Sequence, residues 1–143
     1  MAEQTFSKVL TANDTGQSGG HQAGIHVPRS QGDLIAFLPP LDPATKNPDA
    51  WLDCEDETGQ RWRFRYIYYN NCLHDPGGTR DEYRITHMTA FMRATGAQPG
   101  DVLTISGEPQ TGFLRLIVRK GEGEGSAESG PRRVRLKGWH RVY

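Results

Sequence analysis

Cysteine is scarce in this chain. Cys54 and Cys72 are the only two among 143 residues, too few for a disulfide framework and not spaced as Cys-x-x-Cys. Both are expected as free thiols, packed or half-buried. No apolar run approaches membrane-spanning length, and the start MAEQTFSK lacks the apolar core of a signal peptide. A soluble, intracellular protein with no membrane partner is therefore expected. Charge excess is also missing: 17 basic residues balance 17 acidic ones, which argues against a purely electrostatic polyanion binder.

Catalytic patterns are absent as well. A metal-dependent nuclease needs carboxylates and a lysine gathered around a divalent ion, yet no Asp or Glu is followed two residues later by Lys. His21, His26, His74, His87 and His140 show no HExxH or other metal-ligand spacing. The serines and cysteines lack the context of a nucleophile elbow or a papain-like site. GQSGGHQ has no phosphate-cradling lysine and runs into a strand-like segment. A non-catalytic chain without metal or cofactor is expected.

What the chain does contain is 17 glycines and 9 prolines set among short apolar runs. That pattern predicts one mainly β domain with short helices. Strands are read at Phe6 to Leu10, Ala23 to Val27, Trp51 to Glu55, Arg61 to Asn70, Val102 to Ser106 and Phe113 to Lys120, with a last one through Val134 and Leu136. In RWRFRYIYYN the set Trp62, Phe64, Tyr66 and Tyr68 alternates with Arg61, Arg63 and Arg65, so the aromatic set is expected to face the core. GDLIAFL is either a short helix or a buried strand. Met88, Phe91 and Met92 repeat at helical spacing before Gly96 and are expected as core.

Two loops stand apart. TANDTGQSGGHQAG, Thr11 to Gly24, crowds Asn, Asp, Thr, Ser, His and Gln around four glycines, offering mixed donors and acceptors on a backbone free to follow another surface. The second, DPGGTRDEYRIT, places Arg80, Glu82 and Arg84 at alternate positions, on one face of an extended stretch. Arginine matches the two major-groove acceptors of guanine, and a carboxylate accepts from cytosine N4. The same comb also makes an ordinary surface ion-pair ladder.

Together, ANDTG with GGHQ and a strand ending in VP, then IYYN, then TR-x-E-x-RIT, resemble the family of EcoRII-type N-terminal effector domains. That family sits with the plant-type DNA-binding pseudobarrels found in auxin-response transcription factors. The likeness runs from about Lys8 to Thr86 and continues more loosely to Ile105. It implies a seven-stranded open pseudobarrel with two DNA-gripping arms, binding double-stranded DNA as a monomer at a short CC(A/T)GG-like site. It also implies that residues 1–143 are the N-terminal part of a longer restriction endonuclease of the bacterial cytoplasm, with a C-terminal nuclease domain.

By position, the resemblance assigns Asn13, Asp14, Thr15, His21 and Gln22 to base reading in an N-arm, and Arg80, Glu82, Tyr83 and Arg84 to a C-arm. Arg80 and Arg84 would read guanine. Glu82 would accept from cytosine or orient an arginine, and Tyr83 would stack, meet a thymine methyl or serve the barrel rim. Lys8, Arg61, Arg63 and Lys137 are assigned to phosphates on charge and strand position. Two departures stand out: Gly78 and Tyr83 replace lysines of EcoRII, and the C-arm loop is two residues longer. The competing readings are a protein–protein or oligomerisation module and, third, a small metal-dependent nuclease.

Overall fold

The structure, a computed structural model, describes residues 3–16, 24–121 and 138–143. Its strands are β1 (Gln4–Val9), β2 (Ile25–Val27), β3 (Asp49–Asp56), β4 (Arg61–Tyr69), β5 (Glu82–Thr86), β6 (Val102–Gly107), β7 (Phe113–Arg119) and β8 (Trp139–Val142). Between them lie three short helices, α1 (Ala12–Thr15), α2 (Gly32–Phe37) and α3 (Thr89–Thr95). The eight strands form one sheet in the order β2-β5-β4-β3-β7-β6-β1-β8. Neighbours are antiparallel except β3 and β7, which run parallel. The two edge strands come together where the indole N–H of Trp139 donates to the carbonyl of His26 at 3.1 Å. The result is an open barrel of eight described strands where seven were expected. The last expected strand, through Val134 and Leu136, lies outside the described residues; β8 begins at Trp139.

Period-two alternation builds the wall, since successive side chains of a strand point to opposite faces. Along β4 the inward set Phe64, Tyr66 and Tyr68 is buried, while Arg61 and Arg63 are exposed. Trp62 is half-buried and donates its indole N–H to Asp56 at 2.9 Å. Ile67, on the outward register, is nevertheless buried, standing between Asp49 and Arg84 in the rungs of the sheet.

Helix α3 closes one end of the barrel. Met88, Phe91 and Met92 are buried as expected, and Phe91 meets Trp62 and Phe64 edge-on at 5.5 Å. Truncating such a ring to alanine costs about 3–5 kcal/mol. Gly96 ends the helix in the left-handed region at φ 67°. GDLIAF resolves as helix α2, which Pro39 and Pro40 prevent from continuing. Cys54 is buried and Cys72 half-buried, both free. Burial, with Asp53 adding to it, pushes the Cys54 thiol up to about 12, as suits an inert packing residue.

Candidate functional site

The two distinctive loops are rooted on one short ladder. Strand β2 pairs with β5 through only three rungs, Ile25 with Ile85, His26 with Arg84 and Val27 with Tyr83. The first loop rejoins the sheet at Gly24, where an added Cβ would press on the carbonyl of Ile85. The second loop joins it at Glu82, which pairs with Tyr69 at the opposite end of β5. With about 3.4 Å per residue, a span of four residues sets these two loop roots about 14 Å apart along the strand direction.

The outer face between the loop roots carries polar side chains. Ile25 and Val27 are buried, which turns His26 outward into solvent beside Arg84. The Arg80 guanidinium lies 3.8 Å from the ring centroid of Tyr69 and donates to Glu82 at 2.8 Å. Arg84 approaches the same carboxylate oxygen at 3.8 Å. The predicted comb therefore forms, with Glu82 shared between the two arginines.

Asn71 and Asn70 shape the second loop. The Asn71 side-chain oxygen accepts from the Arg80 backbone N–H at 2.7 Å, and its carbonyl accepts from Asp75 at 2.9 Å. A Cβ at Gly78 would run into that same Asn71 carbonyl. A lysine at this place is thus incompatible with the observed path of the loop, which accounts for one departure from the resembling pattern. Beneath the loop, Asn70 is fully buried. It donates to the carbonyls of Pro43 and Thr45 at 3.2 and 2.9 Å and exchanges bonds with Asn47 at 2.7 and 3.1 Å. Asn70 so pins the loop to the proline-rich segment.

Tyr83, expected either at bases or at the barrel rim, points away from the comb. It faces inward with Ile85, and its ring stacks on Tyr68 with centroids 4.2 Å apart and planes 4° from parallel. Desolvation, then Asp81, pushes the Tyr68 hydroxyl up to about 12, and burial raises that of Tyr83. The ring is a rim element of the barrel.

The first loop does not begin as an open polar loop. Residues 12–15 form the helical turn α1, capped by Thr11, whose hydroxyl accepts from Asp14 N–H at 3.2 Å. The Asp14 carboxylate accepts in return from Thr11 N–H at 2.9 Å and from Lys8 Nζ at 2.5 Å. Side chains of Lys8 and Asp14 are only 8% and 7% exposed. These two residues, expected at phosphates and bases respectively, are instead a buried ion pair tying β1 to the α1 turn. Thr15 is buried too, its hydroxyl donating to the Thr11 and Ala12 carbonyls at 3.3 Å. Asn13 alone of the described N-arm candidates is exposed. His21, Gln22 and Lys137 lie outside the described residues.

Arg61 and Arg63 project from the outer face of β4 with side chains 71% and 61% exposed. Each faces an acid of β3, Arg61 to Glu55 at 3.6 Å and Arg63 to Asp53 at 3.3 Å. Arg65, the third arginine of this alternation but not among the phosphate candidates, pairs with Asp49 at 2.7 Å and continues the row toward the comb. Asp81 and Arg29, which no local motif singles out, meet at 2.7 Å beside the C-arm root. Among the described residues, no group of three or more His, Cys, Asp or Glu could hold a metal ion.

Comparison with known proteins gives this geometry a lineage. Residues 2–101 match the family described as Restriction endonuclease EcoRII, N-terminal. The type II restriction enzyme EcoRII of Escherichia coli is 37% identical over 105 residues, covering 64% of this chain and 24% of that enzyme. Auxin response factor 2 of Oryza sativa subsp. japonica is 36% identical over 116 residues, covering 80% of this chain and 14% of the factor. The chain thus spans a quarter or less of the length of these relatives. In three dimensions it resembles the Arabidopsis FUS3–DNA complex, with a TM-score of 0.59 and 22% identity over 81% of this chain and 96% of that one. A hypothetical Arabidopsis thaliana protein follows, with a TM-score of 0.56 and 14% identity over 85% and 94%.

Proposed function

The chain belongs to the family of EcoRII N-terminal domains, and on that premise we propose that it is a non-catalytic domain that binds double-stranded DNA in a sequence-specific way. Arg80, Glu82 and Arg84 enter the major groove from one side, with the Thr11 to Gln22 arm on the other. The observation that carries the reading is the comb itself, three alternating side chains on one outer face. Glu82, at the C-arm root, lies about 14 Å by strand rise from the N-arm root at Gly24, comparable with a major groove of about 12 Å. The site is a short CC(A/T)GG-like sequence. The domain binds as a monomer and serves as the effector or targeting unit of a bacterial, cytoplasmic restriction endonuclease whose nuclease domain lies C-terminal to it.

In this reading Arg80 and Arg84 donate to guanine N7 and O6. Glu82 either accepts from cytosine N4 or holds both arginines in register. The pre-set ion pairs lower the ordering entropy on binding, because the side chains are already held in one arrangement. Asn13, His21 and Gln22 supply the mixed donors and acceptors of the N-arm. Arg61 and Arg63, loosely paired and exposed, reach flanking phosphates, as does Lys137. Lys8, whose amino group is committed to Asp14, holds the α1 turn at the start of the N-arm. His26, exposed beside Arg84, lies between the two arm roots.

One observation favours a second reading. Trp51 and Phe113 are 41% and 37% exposed on the outer face, with Arg63 and Arg61 over their rings, a composition suited to protein contacts. Titrating the labelled domain with a CC(A/T)GG duplex and following backbone amide shifts separates the two. Shifts gathered on Asn13, Arg80, Glu82 and Arg84 support DNA reading. A duplex that leaves these four unmoved transfers the assignment to the protein-binding reading.

A further inference from the structure

Asp81 stands between Arg80 and Glu82 in sequence but joins a different set of partners. One of its carboxylate oxygens accepts from the Tyr68 hydroxyl at 2.6 Å, the other from Arg29 Nη1 at 2.7 Å. Tyr68 lies on β4 and is inward-facing and buried, with Tyr83 stacked on it. Arg29 follows β2 by two residues and is 52 positions from Asp81 in sequence. The contact continues the ladder: Val27 pairs with Tyr83, and Arg29 and Asp81 each lie two residues further along. Strand β2 leads out of the N-arm and β5 leads out of the C-arm, and only three rungs join them. A three-rung edge ladder is a weak joint, since short strand pairs contribute little on their own.

We propose that Asp81 is a positioning residue that clasps the two arm-bearing strands together through Arg29 and Tyr68, fixing the distance between N-arm and C-arm that sequence-specific reading requires. The inference rests on the DNA-binding reading for its consequence, although the clasp itself is a property of the free protein. Asp81 turns away from the reading comb, so it acts through the placement of Arg80 and Glu82 and makes no base contact. The Tyr68 hydroxyl holds one carboxylate oxygen and aims the other at Arg29. Loss of either partner leaves β2 joined to β5 by its three rungs, while the C-arm root stays on β4 through the Tyr69–Glu82 rung and on Asn71.

The test compares Asp81→Asn, Arg29→Ala and Arg29→Lys with the wild type in the full chain. Two readouts are needed: amide hydrogen exchange across residues 71–81 without DNA, and binding to CC(A/T)GG and scrambled duplexes. Asp81→Asn and Arg29→Ala are expected to speed exchange of that segment by about tenfold. They should lower the cognate-to-scrambled ratio by about fivefold, with scrambled binding and thermal midpoint unchanged. Arg29→Lys, which keeps a charge opposite Asp81, should restore most of both. Unchanged exchange in Asp81→Asn and Arg29→Ala overturns the clasp. Faster exchange with an unchanged ratio overturns its role in reading. A wild type that shows no duplex preference refutes the base-reading function instead, and the exchange result then decides the clasp alone.

Discussion

Arg80 lies over Tyr69, its guanidinium carbon 3.8 Å from the ring centroid, while its Nη2 donates to Glu82. A side chain with about 2 kcal/mol of rotamer entropy is so held in one orientation before any ligand arrives. Arg80→Ala is expected to cost about 1–3 kcal/mol in discrimination between a cognate duplex and one altered at a single G·C pair. Tyr69→Leu, which leaves Arg80 present but unsupported, should cost about 0.5–1 kcal/mol. Competition binding with the two duplexes measures both.

The Lys8–Asp14 pair predicts an asymmetric stability response. Both side chains are nearly excluded from water, so Asp14→Ala strands a buried ammonium and should destabilise the fold by about 3–5 kcal/mol. Replacing both, Lys8→Met with Asp14→Leu, should recover most of that loss because no unpaired charge remains. Urea unfolding of the single and double variants reads the difference. Equal loss in both would show that the pair itself, rather than the stranded charge, matters.

Asn70 predicts a local effect on the C-arm. Its side chain makes three bonds to the 43–47 segment, and its N–H makes a fourth. Asn70→Ala leaves buried polar groups of that segment unmatched and should cost about 1–3 kcal/mol. Faster amide exchange should appear first at Asn47 and across 71–75, ahead of the barrel strands.

Acid stability follows from Asp56 and Asp101. The hydroxyl of Thr58, the indole of Trp62 and two backbone N–H groups hold the Asp56 carboxyl down to about 2 from an ordinary 3.8. Asp101 is raised by burial, but the N–H groups of Gly121 and Gln98 and the Lys120 ammonium outweigh this and lower it. Folded values below the unfolded ones mean stabilisation that is complete above about pH 4 and lost as pH falls toward 2. Asp56→Asn should therefore lower the urea midpoint at pH 6 by more than at pH 2.5, which paired denaturation curves would register.

How much of this was legible depended on whether strand alternation or tertiary context decided each position. The aromatic face of β4, the Met88–Phe91–Met92 stripe and the Arg80–Glu82–Arg84 comb all follow from simple periodicity. Periodicity also held the corrections. Lys8 shares a face with buried Phe6, and Tyr83 with buried Ile85, so parity turns the first away from phosphates and selects the rim role for the second. The turn α1 was signalled by a Thr-x-x-Asp cap. Strand β8 carries only four residues, too few for a pattern, and exists because Trp139 closes the barrel against His26. Arg29 and Asp81 lie 52 residues apart and are joined only by the fold.

Base reading by the two arms is put to the test by competitive binding of the wild-type chain. A CC(A/T)GG duplex and a scrambled duplex of equal length are compared at two salt concentrations. Phosphate contacts weaken both complexes as salt rises, in proportion to their number, whereas base contacts preserve the difference between them. The predicted result is a preference for the CC(A/T)GG duplex that survives at the higher salt and is reduced by Arg80→Ala. Equal affinity for the two duplexes, falling together with salt, would contradict it.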